Sequence, residues 1–336
     1  MSDLLVGLLT ALMATNQPAA VSNLVTQTTG LTVPVPDLND PIEKELHKIM
    51  VDDDAALDEV DKWIQENEAF ARKGGGISSN ALNDRIRARL NIVRKAYEDF
   101  LQRHPAHARA HLAFGSFLDN IKEEDASQVE LEKARELDPK NPASWNQLAN
   151  YYGHRGPVKK AFEYYSKAIE LDPSEPTYFR NMATTVFLFR KDAMEYYHID
   201  EQQVFDKALG LYQQAFKLQP TDFELAHDLA QTYYGIKPLR TEAALAAWTN
   251  ALNIATTDIE REGVYIHFAR IQLHAGRYAE AQKNLDSVTN EFYAELKKRV
   301  SRNLREHEEA AKTNSAPSKP DTNAPPVDAL PGASKK

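Results

Sequence analysis

His104, His107 and His111 form the one local histidine cluster in the sequence. His107 and His111 have the i, i+4 spacing that puts two imidazoles on one helical face, as a zinc site requires. Pro105 nevertheless places His107 in a turn, and His111 falls where a helix packs against its neighbour. No further ligand stands close in sequence, so helix packing is the better reading. Cysteine is absent, which removes disulfides, thiol catalysis, iron–sulfur clusters and cysteine-based zinc sites. Gly74-Gly75-Gly76-Ile77-Ser78-Ser79 lacks the Gly-Lys-Ser/Thr ending and the preceding strand of a phosphate loop, and reads as a flexible turn. Asp52-Asp53-Asp54 lacks the alternation and glycine of a calcium loop. Three acids suit the start of a helix, where they complement the dipole. The tyrosine pairs 151–152, 164–165, 196–197 and 233–234 make no catalytic constellation, and four of the eight, Tyr152, Tyr165, Tyr233 and one near 196, are expected to be core. No catalytic, cofactor-binding or metal-ligating residue is assigned, and no enzymatic activity is expected.

The positioning elements are helices. The 336 residues carry 40 Lys+Arg against 49 Asp+Glu, a net charge of −9, which disfavours a general nucleic-acid binder. Leu137-Asp138-Pro139 recurs 34 residues later as Leu171-Asp172-Pro173, and Leu218-Gln219-Pro220 is a third copy. Between the first two stand Trp145, Leu148, Ala149, Tyr152, Ala161, Tyr165, Ala168 and Pro173. Small residues at Ala149 and Ala161 let paired helices approach closely, and Pro173 stops the second helix. Upstream, 54–72 and 80–103 carry helical apolar spacing. Residues 37–68 hold 12 acids and 3 bases, and residues 72–109 hold 9 bases and 3 acids. Opposite charge on adjacent helices favours their antiparallel pairing.

At all eight of its signature slots, the segment 142–175 resembles the tetratricopeptide repeat. Residues 108–141, 176–222, 223–258 and 262–288 resemble it in part, on the same register. His111 and Ser127 depart from the pattern in the first, and the third is expanded to 47 residues from 34. The resemblance implies an all-α fold, a right-handed superhelix of antiparallel helix hairpins. The expected organisation is a leader and extended linker at 1–41, a degenerate hairpin at 42–107, five repeats over 108–288, a capping helix at 289–312 and a Pro/Ala/Ser-rich tail at 313–336. At most one strand is expected, in 30–37. The apolar run 4–14 has the length of a signal-peptide core but no preceding base. It favours export or membrane association over a cytoplasmic location, and membrane contact is expected only through it.

The same resemblance implies a function: binding a peptide or partner protein in the groove lined by the first helix of each repeat. The groove slots are Asn146, Gln147, Asn150, Arg180, Asn181, Thr184, His227, Asp228, Gln231, His267 and Arg270. Amide side chains both donate and accept, so such a wall suits an extended backbone. The carboxylate clamp of chaperone-binding members is not reproduced, because Leu112 stands where its first lysine would. The expansion at 187–201 is expected to lengthen both helices of the third repeat, with Tyr196, Tyr197 and His198 at a projecting tip. Packed against the long turn 235–240, it would make a second platform rimmed by Arg190, Lys191, Lys237 and Arg240. An accessory subunit of an enzyme or envelope complex is the alternative, and a cryptic hydrolase or metal-binding protein is a remote one.

Overall fold

Asp40 and Pro41 open the first helix. The Asp40 carboxylate accepts from the Ile42 amide at 2.9 Å, and Pro41 occupies the first turn, where a missing N–H costs nothing. The structure, a computed structural model, describes residues 39–315. The leader at 4–14, the strand considered at 30–37, and most of the linker and of the tail lie outside them. Fourteen α-helices and no strand occur among the described residues, giving an all-α solenoid of helix hairpins. The chain divides into two units, ending and starting at Thr185 and Val186.

The first unit begins with α1 (Pro41–Ala71) and α2 (Ser79–Arg103). Helix α1 starts well before residue 54, because Leu46, Ile49, Asp53 and Ala56 continue one buried stripe back to the Asp40 cap. Asp52–Asp54 therefore sit in mid-helix, not at a helix start. The charge contrast between the two helices becomes specific pairs. Arg89 reaches Asp52 at 2.7 Å and Glu59 at 2.9 Å, and Arg103 reaches Glu45 at 2.8 Å. The glycine turn closes onto α1: Asn67 accepts from the Ile77 amide at 2.8 Å, and Gly74 and Gly76 take φ of +80° and +105°.

The hairpins α3 (Ala108–Asn120) with α4 (Glu124–Leu137) and α5 (Pro142–Arg155) with α6 (Val158–Leu171) follow. Helix α7 (Pro176–Leu188) comes next. Ala149, Ala161 and Ala168 are wholly buried at the α5–α6 contact, with Phe162, Tyr152 and Tyr165 around them. The atypical residues of the α3–α4 hairpin are accommodated by polar bonds. His111 is buried, with Nδ1 at 2.6 Å from Glu130 and Nε2 at 3.0 Å from the Pro105 carbonyl. Ser127 donates to the Gly115 carbonyl at 2.7 Å. A Cβ on Gly115 would meet Leu131 Cδ2 at 2.7 Å, so this crossing is closer than alanine permits.

The second unit holds α8 (Arg190–Tyr197), α9 (Glu201–Leu218), α10 (Phe223–Thr232), α11 (Thr241–Ile254), α12 (Asp258–His274), α13 (Tyr278–Asp286) and α14 (Ala294–Ser315). The expansion does not lengthen α7. The backbone leaves the helical region at Phe189 (φ −102°, ψ 52°), and the extra residues form the separate short helix α8. His198 ends α8 in the left-handed conformation (φ 54°), and the Asp200/Gln203 capping box then opens α9. Glu262 fastens the far end, accepting from the amides of Thr289 at 2.8 Å and Asn290 at 2.7 Å. Helix α14 is less polar in place than in sequence, since Val300 and Leu304 bury against Ile266, Leu273 and Leu285.

Close helix crossings should not tolerate added volume. Gly115→Ala and Ala161→Trp are each expected to lower stability by about 1–3 kcal/mol or more, read as the midpoint of urea unfolding. An unchanged midpoint for both would show that these crossings are not tight.

Candidate functional site

Among the described residues no group of three or more His, Asp or Glu is arranged to hold a metal ion. The histidines 104–111 serve structure. His107 caps α3, accepting from the Ala110 amide at 3.2 Å, and its Nε2 lies 3.3 Å from Glu43. Burial works against a charged His111, but its hydrogen bonds to Glu130 and the Pro105 carbonyl outweigh that, and its pKa is raised.

In the first unit the expected groove residues form a linked polar wall. Asn181 donates to Asn146 at 3.2 Å, which ties α7 to α5. Asn150 donates to Gln147 at 3.0 Å, and Gln147 donates to Ser116 on α3 at 3.2 Å. The Tyr165 hydroxyl donates to Asn150 from behind at 2.7 Å. Asn146 is buried, while Gln147, Asn150, Arg180, Asn181 and Thr184 are half-buried. Thr184 donates to the Arg180 carbonyl within its own helix at 3.0 Å. An amide group has two N–H donors and two acceptor lone pairs. Gln147 and Asn150 therefore keep capacity beyond the bonds that orient them.

A pocket of about 320 Å³ adjoins this wall, bounded by α1, α2, α3 and the start of α5. It was not legible in the sequence as a site. Met50, Asp53, Asp54, Arg109, Leu112, Phe117 and Gln147 are among the residues that line it. Asp53 Oδ2 accepts from the Tyr97 hydroxyl at 2.9 Å, and Asp53 Oδ1 is buried without a hydrogen-bond partner. Burial, with Asp54 and Asp52 adding to it against the opposing Tyr97 bond, pushes the carboxyl up to about 6. The signal in sequence was the aspartate triplet, whose middle member turns inward because its neighbours on the apolar stripe do.

In the second unit the expected residues gather around Trp248, which is wholly buried with its Nε1–H unpartnered. His267 stacks on the indole at 3.9 Å and 8°, and His227 meets it edge-on at 5.3 Å. The Tyr234 hydroxyl lies 3.0 Å from His267 Nδ1, and Arg270 covers the Tyr234 ring at 4.6 Å. Gln231 Nε2 lies 3.1 Å from His227 Nδ1, and Asp228 is half-buried beside it. Burial holds His267 down to about 3, with His227 and Arg270 nearby acting the same way. This is an aromatic surface that prefers its imidazoles neutral, unlike the amide wall of the first unit.

The residues of the expected platform are largely occupied with each other. Tyr196 and Tyr197 meet edge to face at 4.8 Å, and Lys207 on α9 lies 4.0 Å over the Tyr197 ring. The tyrosines are half-buried against α9 and form no projecting tip, because the break at Phe189 turns α8 back; His198 is exposed. The long turn does touch the expanded repeat, though through other residues. Gln202 donates to the Lys237 carbonyl at 2.8 Å and accepts from Arg240 at 3.0 Å. Arg240 also pairs with Asp206. A Cβ on Gly235 would meet Phe187 at 2.3 Å. Arg190 pairs with Glu201 at 3.5 Å, while Lys191 and Lys237 are exposed.

Two titrations follow. The folded state disfavours ionised Asp53, whose carboxyl moves from its ordinary 3.8 to about 6. The penalty is absent below pH 3.8, grows between the two values and is complete above the higher one. Asp53→Asn should therefore be more stable than the parent by about 2 kcal/mol at pH 7.5, with the advantage fading on acidification. Equal stability at both ends of the range would refute a buried, uncompensated carboxylate. His267 behaves oppositely. Its neutral form is required by the fold, so the stability it contributes is present above pH 6.5 and falls as the pH is lowered toward 3. Between pH 6.5 and 5 the parent should lose about 2 kcal/mol that His267→Phe keeps, measured by denaturant unfolding across the range. Parallel curves would place His267 in solvent.

The tetratricopeptide repeat family profile matches residues 142–175, the α5–α6 hairpin and its flanking turns. Comparison with curated protein sequences finds no match. Several solved structures are similar. YrrB, described as a TPR protein with an unusual peptide-binding site, is 15% identical with a TM-score of 0.46, over 65% of this chain and 99% of that one. PilF of Pseudomonas aeruginosa is 18% identical with a TM-score of 0.44, over 63% of this chain and 91% of that one. The Cut9–Hcn1 hetero-tetramer of the APC/C is matched at 15% identity and a TM-score of 0.47, over 84% of this chain and 52% of that one. Residues 142–175, the α5–α6 hairpin and its flanking turns, thus carry a tetratricopeptide repeat, set within an all-α array of helix hairpins.

Proposed function

We propose that the protein is an interaction scaffold, and that the polar wall on α3, α5 and α7 holds an extended segment of a partner protein. The carrying observation is the hydrogen-bonded series Ser116–Gln147–Asn150 with Asn146–Asn181, which fixes amide groups on successive first helices. A side chain already held by one bond loses less entropy when it makes a second. Such a wall can pair with the N–H and C=O groups of a backbone whatever its side chains, while pockets beside it select among sequences. No chemistry by the chain itself is part of this reading. In the second unit, His227, Gln231, His267 and Arg270 offer a different, aromatic surface, suited to apolar or aromatic side chains of a partner.

Arg180→Ala with Asn181→Ala tests the wall. Partners captured on the parent chain and identified by mass spectrometry should fall about tenfold or more on the double variant, with its helical circular dichroism unchanged. Glu163→Ala, on the exposed side of α6, should capture as the parent does. Undiminished capture by the double variant would move the partner site off these helices.

A further inference from the structure

The 320 Å³ pocket at the end of the amide wall has a chemistry of its own. Asp53 is only 9% exposed, yet its Oδ1 has no partner. A buried carboxylate oxygen left unbonded is costly, and buried polar groups are nearly always paired. Asp52, the adjacent acid, is already paired with Arg89. Asp54 is exposed at the rim of the same pocket. The cation in the wall, Arg109, does not compensate these acids, because it is engaged with Glu43 at 2.6 Å. The pocket thus presents two acids whose charge the wall leaves uncompensated. Beside its polar members Ser116, Asn120 and Gln147, the lining carries apolar side chains from Met50, Leu112 and Phe117. A small inorganic cation would gain nothing from them, and calcium needs about six to eight oxygens. A long side chain with an apolar stem and a cationic head matches both halves of the lining.

We propose that this pocket seats a lysine or arginine side chain of the partner segment, its cationic head drawn by the carboxylate charge of Asp53 in the wall and of Asp54 at the rim. The inference rests on the groove reading above. Gln147 links the two, since it lines the pocket and belongs to the amide wall. A segment lying along the wall toward α1 brings one side chain over the opening. The pocket then acts as a selector, adding a requirement for a basic residue to a surface that otherwise reads backbone.

The test uses the full chain, methyl-labelled at methionine and leucine, titrated with acetyl-Gly-X-Gly-amide peptides in which X is Lys, Arg or norleucine. The Lys and Arg peptides should produce saturable shifts at the Met50 and Leu112 methyls, and whichever binds more tightly names the preferred head group. The norleucine peptide, with an apolar side chain and no charge, should not saturate at the same concentrations. Asp53→Asn should weaken Lys peptide binding by about tenfold. Asp54→Asn, at an exposed position that cannot unfold the chain, should weaken it severalfold and reduce its salt dependence. Equal binding of the norleucine peptide, or parent-like binding of the Lys peptide by both variants, would overturn the proposal. So would a failure of both basic peptides to shift these methyls. Arg180 and Asn181 do not line the pocket. Loss of partner on their double variant, with no response to basic peptides, would therefore leave the groove standing and remove only the basic anchor.

Discussion

At the centre of the α5–α6 hairpin, Ala149 and Ala161 are both wholly buried. In the hairpin before it, Gly115 lets Leu131 come nearer than any Cβ would permit. Each repeat is a pair of helices too short to be stable alone, so burial against a close partner must supply what propensity does not. Small residues at the crossing bring the backbones together, and larger ones above and below, such as Phe162 and Tyr165, fill the remaining space. The first helices then stand side by side, and their outward residues form a continuous surface within the first unit.

Close packing also decides the fate of polar groups. Tyr152 is anchored by Glu132 at 3.0 Å and Lys160 at 2.9 Å. His111 finds Glu130, and Glu262 collects two amides beyond α13. The free oxygen of Asp53 departs from this pattern, as Trp248 Nε1 does in the second unit, and it lies where the wall of amides ends. A fold that pairs Asp52 with Arg89 and Arg109 with Glu43, while leaving Asp53 half-paired, concentrates unspent electrostatic capacity at one place.

The two units present different surfaces for the same architectural reason. In the first, the outward slots carry amides that bond from helix to helix. In the second, they carry His227 and His267 packed on Trp248, where burial favours neutral rings over charged ones. Helix hairpins thus carry linked amides in one unit and packed aromatic rings in the other.

The sequence by itself determined the helical repeat. A 34-residue recurrence of Leu-Asp-Pro, with Ala149 and Ala161 at the crossing slots between and proline after α4, α6 and α9, admits few other folds, and each of those signals is local. It also marked Leu148, Ala149 and Tyr152 of α5 as core, while Asn146, read as an outward slot, proved buried. Three things needed the tertiary structure. The start of α1 at Pro41 depends on Leu46 and Ile49 having α2 to bury against, so helical spacing read from residue 54 onward missed it. The separate helix α8 depends on a backbone break at Phe189, and no proline or glycine marks that position. The Asp53 pocket depends on Tyr97, Arg109 and Gln147 converging across 44, 56 and 94 residues of sequence. An aspartate triplet looks uniformly solvated along the chain. Only the packing of α1 against α2 and α3 turns its middle member inward and leaves one oxygen without a partner.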